Sequence, residues 1–301
     1  RQPSMQRFIA TRRLLAHLPR GSCGPSTRRS LCASASSKER PLIVVHRESE
    51  HIAAVQLSHK PVNALTHQVL LELTGAIREL EDDPQIHGML LGSAVPGIFS
   101  AGLDIRTFYG APENVLADYW TAVQDLWLTL YSTRLATVAA IGGHSPAGGC
   151  MLSLSCDERV MLEGEKFRIG LNETQLGIVA PDWFASILTD VVGVRSSYRM
   201  LMLGELVSPS VALERGMVDE VVPLHQLHGA ATARLDALLK IPHKARVATK
   251  LMLRGQRAEA LRCRQSEDLD TFMTCLNDPE VQSMIGAYLA SLSKKKPPKD
   301  N

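Results

Sequence analysis

Residues 141–152 read IGGHSPAGGCML. A β-branched, apolar run, Thr137–Ile141, leads into this turn as a predicted strand, and Gly148–Ser155 leaves it as a predicted helix. Gly143-His144-Ser145-Pro146-Ala147 comes close to the G-x-S-x-G spacing of a nucleophile elbow. In that elbow the residue after the serine lends its backbone N–H to an oxyanion hole. Here that residue is Pro146, which has no N–H, and the last small position is Ala147 rather than glycine. Ser145 is therefore not expected to be a nucleophile. What remains is a glycine pair opening a helix, where free N–H groups carry partial positive charge.

A second stretch has the same build. Ile86–Leu91 is a predicted strand that ends in a loop of small residues containing FSAGLDI, Phe99–Ile105. Small residues at a strand end let the backbone approach a ligand closely. Two such turns in one α/β unit suggest two donors converging on one oxygen, the oxyanion-hole arrangement. Neither is G-x-G-x-x-G or a P-loop, which disfavours a nucleotide-phosphate cradle.

Around these turns strands and helices alternate. Leu42–His46 and Ile52–Leu57 form a predicted hairpin, and Val69, Leu73, Ile77 and Leu80 mark a helix over Thr66–Asp82 that Pro84 closes. A helix over Ala117–Tyr131 precedes the first turn quoted; a strand at Arg159–Leu162 and the loop GLNETQLGIVAPDW follow it. Helices are expected at Trp183–Val191 and Ser196–Leu203, then a short helix and a strand at Val218–Val222. From about Gln226 the pattern is helical to the basic tail KKKPPKDN. This order is an α/β core with a helical end.

HKPVNAL, FSAGLDI, PAGGCMLSLSCD and GLNETQLGI follow one another in an order and spacing that resemble the crotonase (enoyl-CoA hydratase/isomerase) superfamily over residues 42–225. YWTAVQDLWLTLY and IGLNETQLGIVAP further resemble its mitochondrial 3,2-trans-enoyl-CoA isomerases. The resemblance implies an α/β crotonase spiral of ββα units with a C-terminal helical oligomerisation region, giving a homotrimer or a dimer of trimers. It implies a substrate-binding loop at Ala101, Gly102, Leu103, Asp104 and Ile105. The oxyanion-hole donors would be the N–H groups of Leu103 and Gly148, with Asp104 bracing the loop. Of the family's two carboxylate positions, one is Met151 here and the other is Glu173.

That departure bears on the chemistry. Hydrating a double bond needs one group to activate water and another to hold it or deliver a proton. Moving a double bond from C3 to C2 of a thioester needs one base, which takes a proton at the alpha carbon and returns it at the gamma carbon. Isomerisation of 3-enoyl-CoA with Glu173 as catalytic base is the reading that follows. No metal and no redox cofactor is implied, because coenzyme A arrives as part of the substrate. Trp120, Leu126 and Trp183 are candidates for the acyl pocket. His144 is expected to pack, and Glu158, Glu163 and Glu165 to lie on the surface. A 2-enoyl-CoA hydratase and a non-catalytic RNA-binding relative are the alternatives.

Composition fits these expectations. Of 33 Lys and Arg, seven Arg fall in residues 1–37 beside no Asp or Glu, so 26 basic residues face 31 acidic ones in the rest, a net charge of −5. The first segment, rich in Arg and Ser, has the composition of a mitochondrial transit peptide, implying the matrix. Residues 38–225 are the expected core and 226–301 the helical region. The net −5 offers no basic stripe for nucleic acid. No apolar run is long enough to span a membrane. Cys150, Cys156, Cys263 and Cys275 show no zinc spacing and are expected as reduced, mostly buried thiols.

Overall fold

The computed structural model describes residues 41–294. The expected transit peptide and the basic tail beyond Lys294 lie outside the described residues. The expected hairpin forms from β1 (Ile43–Arg47) and β2 (Ile52–Leu57), paired antiparallel with Ile43 opposite Leu57. A two-residue β3 (Ala64–Leu65) leads into α1 (His67–Asp82), whose first turn is capped by Thr66: its Oγ1 accepts the Val69 N–H at 3.3 Å.

Three turns of chain then repeat one plan: a long buried strand, a short strand, a helix. The first runs β4 (Gly88–Ser93), β5 (Gly97–Ile98), β6 (Gly102–Leu103), a 3-10 turn at Ile105–Phe108 and α2 (Glu113–Ser132). The second runs β7 (Ala136–Ile141), β8 (Gly143–Pro146) and α3 (Gly148–Ser155). The third runs β9 (Glu158–Leu162), β10 (Ile169–Gly170), a 3-10 turn at Glu173–Leu176 and α4 (Asp182–Leu203). α5 (Pro209–Glu214), β11 (Glu220–Val222), α6 (Leu224–Leu239), α7 (His243–Leu276) and α8 (Pro279–Lys294) complete the chain.

The long strands form one six-stranded sheet in the order β1-β2-β4-β7-β9-β11, parallel except at the hairpin. β2, β4 and β7 are apolar and buried along most of their length, as strands covered on both faces are. The short strands make two further small sheets, β10-β8-β5 and β3-β6. Both turns singled out in the sequence sit in this second layer.

Residues 183–203, expected as two helices, form two helical segments in one run, α4. Gly193, at φ 76°, kinks it at the expected break, a backbone conformation that glycine adopts freely. The strand expected at Ile86–Leu91 starts two residues later, at Gly88, and the one expected at Val218 starts at Glu220.

The helical end is built into the core. α6 covers β4, β7 and β9, and α7 lies along α2. α7 is fastened by Lys250, whose ammonium donates to Leu135 O at 2.8 Å and Asp157 Oδ2 at 2.9 Å, while Arg254 holds Asp157 Oδ1 at 3.1 Å. Burial lowers the Lys250 ammonium to a pKa of about 8. Among the described residues no helix is long and apolar enough to cross a membrane.

Candidate active site

The two glycine-rich turns meet. A Cβ placed on Gly148 would lie 3.1 Å from the Leu103 nitrogen, and one on Gly102 would lie 3.0 Å from the Gly148 nitrogen. Gly102 also has φ 89°, so both its conformation and this closeness require glycine. Gly148 is the first residue of α3, where an N–H has no partner within its own helix. The turn into α3 is made by Ala147 at φ 49° and ψ −121°, a conformation that costs a residue with a Cβ of order 1–3 kcal/mol. Ser145 and Pro146 are held straight as part of β8, opposite Ile169 and Gly170 of β10.

The Leu103 side of the pair is braced by three side chains that sequence reasoning did not find. The Tyr119 hydroxyl accepts the Asp104 N–H at 2.9 Å and donates to Leu65 O at 2.5 Å. The Ser100 hydroxyl donates to Asn63 O at 2.7 Å and accepts the Gly102 N–H at 3.1 Å. Asn63, fully buried, donates from Nδ2 to Ser93 Oγ and Phe99 O. Asp104 accepts the Arg106 N–H and so starts the 3-10 turn. Each bond fixes the backbone on either side of Leu103.

Glu173 approaches from the third repeat. Its loop is tied to the Gly148 turn by the Ala147 N–H, which donates to Gly170 O at 2.8 Å. It is tied to the end of α4 by Thr174 Oγ1 and Gln175 Nε2, which donate to Leu201 O and Leu203 O. The Glu173 side chain is 7% exposed, and its Oε2 has no hydrogen-bond partner among the described residues. Burial pushes its carboxyl up to a pKa of about 7, with only its own backbone N–H opposing. The neighbouring Cys150 thiol is pushed up by burial and then by the Glu173 charge, so α3 and Glu173 are electrostatic neighbours.

Glu173 and Leu103 line one cavity of about 1140 Å³, walled by Phe108, Trp120, Ile178, Trp183 and Phe272. That volume suits an organic ligand with a long apolar part. A buried base near neutrality, on the wall of a cavity that has an aromatic side and also reaches Leu103, suits proton abstraction next to a carbonyl.

Of the other expected site residues, Gly148, Gly102, Asp104 and Ile105 shape the loops without lining that cavity, and Ala101 is exposed. Met151 is fully buried within α3, its sulfur 3.9 Å from the Ser155 hydroxyl, and presents no surface to the cavity. Trp120 and Trp183 line it. Leu126, expected beside them, is buried elsewhere in the core, because α2 turns it away from the cavity.

His144 packs edge-on against Phe167. Ser145 is buried with its hydroxyl unpaired and does not line the cavity. Cys150 and Cys156 are buried free thiols, whereas Cys263 is exposed on the outer face of α7. Among the described residues no group of three His, Cys, Asp or Glu could hold a metal ion.

Residues 47–298 match the enoyl-CoA hydratase/isomerase family. The chain is 40% identical over 289 residues to mitochondrial enoyl-CoA delta isomerase 1 of Mus musculus, covering 96% of this chain and 99% of the mouse protein. It is 40% identical over 245 residues to the Homo sapiens protein of that name, covering 81% of each. Among solved structures it is similar to human mitochondrial delta3-delta2-enoyl-CoA isomerase, with a TM-score of 0.84 and 38% identity over 85% of this chain and all of that one.

Proposed function

The chain belongs to the enoyl-CoA hydratase/isomerase family, and within it we propose an isomerase that converts 3-enoyl-CoA thioesters into 2-trans-enoyl-CoA, a step of fatty-acid β-oxidation. The observation that carries this reading is Glu173: a buried carboxyl with an unpaired oxygen, on the wall of the cavity that Leu103 also lines. The thioester oxygen sits between the N–H groups of Leu103 and Gly148. Glu173 takes a proton from C2, and the negative charge spreads onto the thioester oxygen, where the two amides stabilise it. The same carboxyl then returns the proton at C4. A pKa of about 7 suits both halves, since the group must be a base first and an acid second.

Double-bond migration leaves the oxidation state unchanged, so the proposal includes no metal and no redox group; coenzyme A belongs to the substrate. Asp157 and Asp268, also on the cavity wall, have both oxygens engaged by nitrogen donors. Met151 is apolar where a hydratase of this family would carry its second acid. A nucleic-acid role has no support in a net charge of −5 after residue 37. The Arg- and Ser-rich first segment and the mitochondrial relatives support a place in the mitochondrial matrix. A homotrimer, or a dimer of trimers, is the assembly proposed. Exposed Val194, Tyr198 and Met202 on α4, with Met252 and Leu253 on α7, offer the apolar surface for it.

The test is a spectrophotometric assay of purified protein with 3-enoyl-CoA and 2-enoyl-CoA side by side. Faster isomerisation than hydration is expected; the reverse order would make this a hydratase.

A further inference from the structure

Asp268 stands on α7, outside every segment that the sequence motifs marked. Its Oδ2 accepts the Trp120 Nε1–H at 2.7 Å and an N–H of Gln124 Nε2 at 2.7 Å, and its Oδ1 accepts the Trp183 Nε1–H at 3.0 Å. One carboxylate thereby fastens α2, α4 and α7 together. One turn along α7, Phe272 stacks on Trp120 with ring centroids 3.9 Å apart and planes 8° apart. Phe272 also meets Phe108 edge-on at 5.5 Å.

These rings form one wall of the cavity that holds Leu103 and Glu173. The wall begins beside the oxyanion loop, since Tyr119, the neighbour of Trp120, holds the Asp104 N–H. It passes to Trp183, 5.9 Å from Trp120, and the cavity extends as far as Tyr131, a further eleven residues along α2, or about 16 Å.

An indole whose N–H is free can change rotamer; one whose N–H is tied presents a single face. Both indoles here are tied to the same carboxylate. We propose that Asp268 is a positioning residue that sets acyl-chain preference, by holding Trp120 and Trp183 as a fixed wall for the substrate chain beyond the reacting carbons. The inference rests on the 3-enoyl-CoA reading above. Asp268 itself transfers no proton, because three N–H donors occupy its two oxygens.

The test is Asp268→Asn, assayed with 3-enoyl-CoA substrates of six, eight and twelve carbons. Asparagine keeps the shape but offers one acceptor oxygen and an NH₂ group, so one indole N–H faces another donor and its ring is released. A six-carbon chain ends two carbons past C4 and meets little of the wall; a twelve-carbon chain lies along it. The twelve-to-six ratio of kcat/KM should fall about tenfold, close to the loss of burial of two methylenes, and the fall should lie in KM. Trp183→Phe, which deletes one N–H and keeps a ring, should move the ratio the same way by less.

An equal loss at every chain length would make the cluster merely structural and overturn the proposal. So would a kcat reduced a hundredfold at every length, the mark of a proton-transfer group. Should Asp268→Asn not fold, an unchanged ratio in Trp183→Phe overturns it. A wild-type protein inactive on all three substrates would instead refute the isomerase reading itself.

Discussion

Glu173→Gln removes one titratable group and nearly keeps its shape, so its effects on turnover and on stability can be worked from the same carboxyl. In the fold that group titrates near 7, against an ordinary value of 4.5. A carboxyl raised in this way favours the folded state when protonated. Its contribution is whole below pH 4.5, is lost as pH rises through the window to 7, and beyond 7 the ionised group is a cost of about 3 kcal/mol. Glutamine carries no charge and escapes that cost, although its new NH₂ donor finds no ready acceptor and returns about 1 kcal/mol.

The variant should therefore be more stable than the parent by about 2 kcal/mol at pH 8, and the gain should disappear near pH 5. Turnover should fall by about 10²–10⁴, the usual worth of a positioned base. Urea unfolding at the two pH values and a spectrophotometric assay of 3-enoyl-CoA give both numbers. Near-normal turnover would end the one-base account. A stability difference that does not change between pH 5 and pH 8 would mean that Glu173 is not a strained acid in the folded protein.

Two further outcomes follow from the same geometry. kcat/KM of the parent should rise with pH and level off above about 7, because the free enzyme must present the ionised base; a rate that falls over that range would assign the base elsewhere. Tyr119→Phe removes the hydroxyl that bridges the Leu65 carbonyl and the Asp104 N–H and leaves them only their direct 3.4 Å bond, so urea unfolding should show a loss of about 0.5–1.5 kcal/mol. Its kcat should fall about tenfold as the Leu103 donor loosens, less than the roughly 10²–10³ for outright loss of an oxyanion donor; a normal kcat in the destabilised variant would remove Leu103 from the mechanism.

What could be read in the sequence was local. Apolar periodicity marks α1, Pro146 excludes the nucleophile elbow, and paired small residues mark the two turns that the fold brings together. The two-residue strands β3, β5, β6 and β10 were not legible, because pieces so short have no periodicity and exist only through pairing with distant backbone. Nor were the braces. Asn63, Ser100 and Tyr119 act through backbone atoms 36, 37 and 54 residues away, at Phe99, Asn63 and Leu65, and nothing in their own neighbourhoods signals that. Asp268 is one acid among several on a long helix, and only the folded position of Trp120, 148 residues earlier, distinguishes it. Leu126 shows the converse: helical spacing put it on one face of α2 with Trp120, but spacing defines a buried face without saying which part of that face borders a cavity.

The central claim is that one carboxyl, shielded from water, carries the same proton from C2 to C4. It can be followed with a 3-enoyl-CoA deuterated at C2, turned over by the wild-type protein in ordinary water and stopped early in the reaction. Glu173 is only 7% exposed, so the account predicts deuterium at C4 of the 2-trans product, diminished by whatever exchange occurs before the return step. A product with no deuterium at C4 at any extent of reaction would mean that the proton is delivered from water or from a second group, contrary to the account.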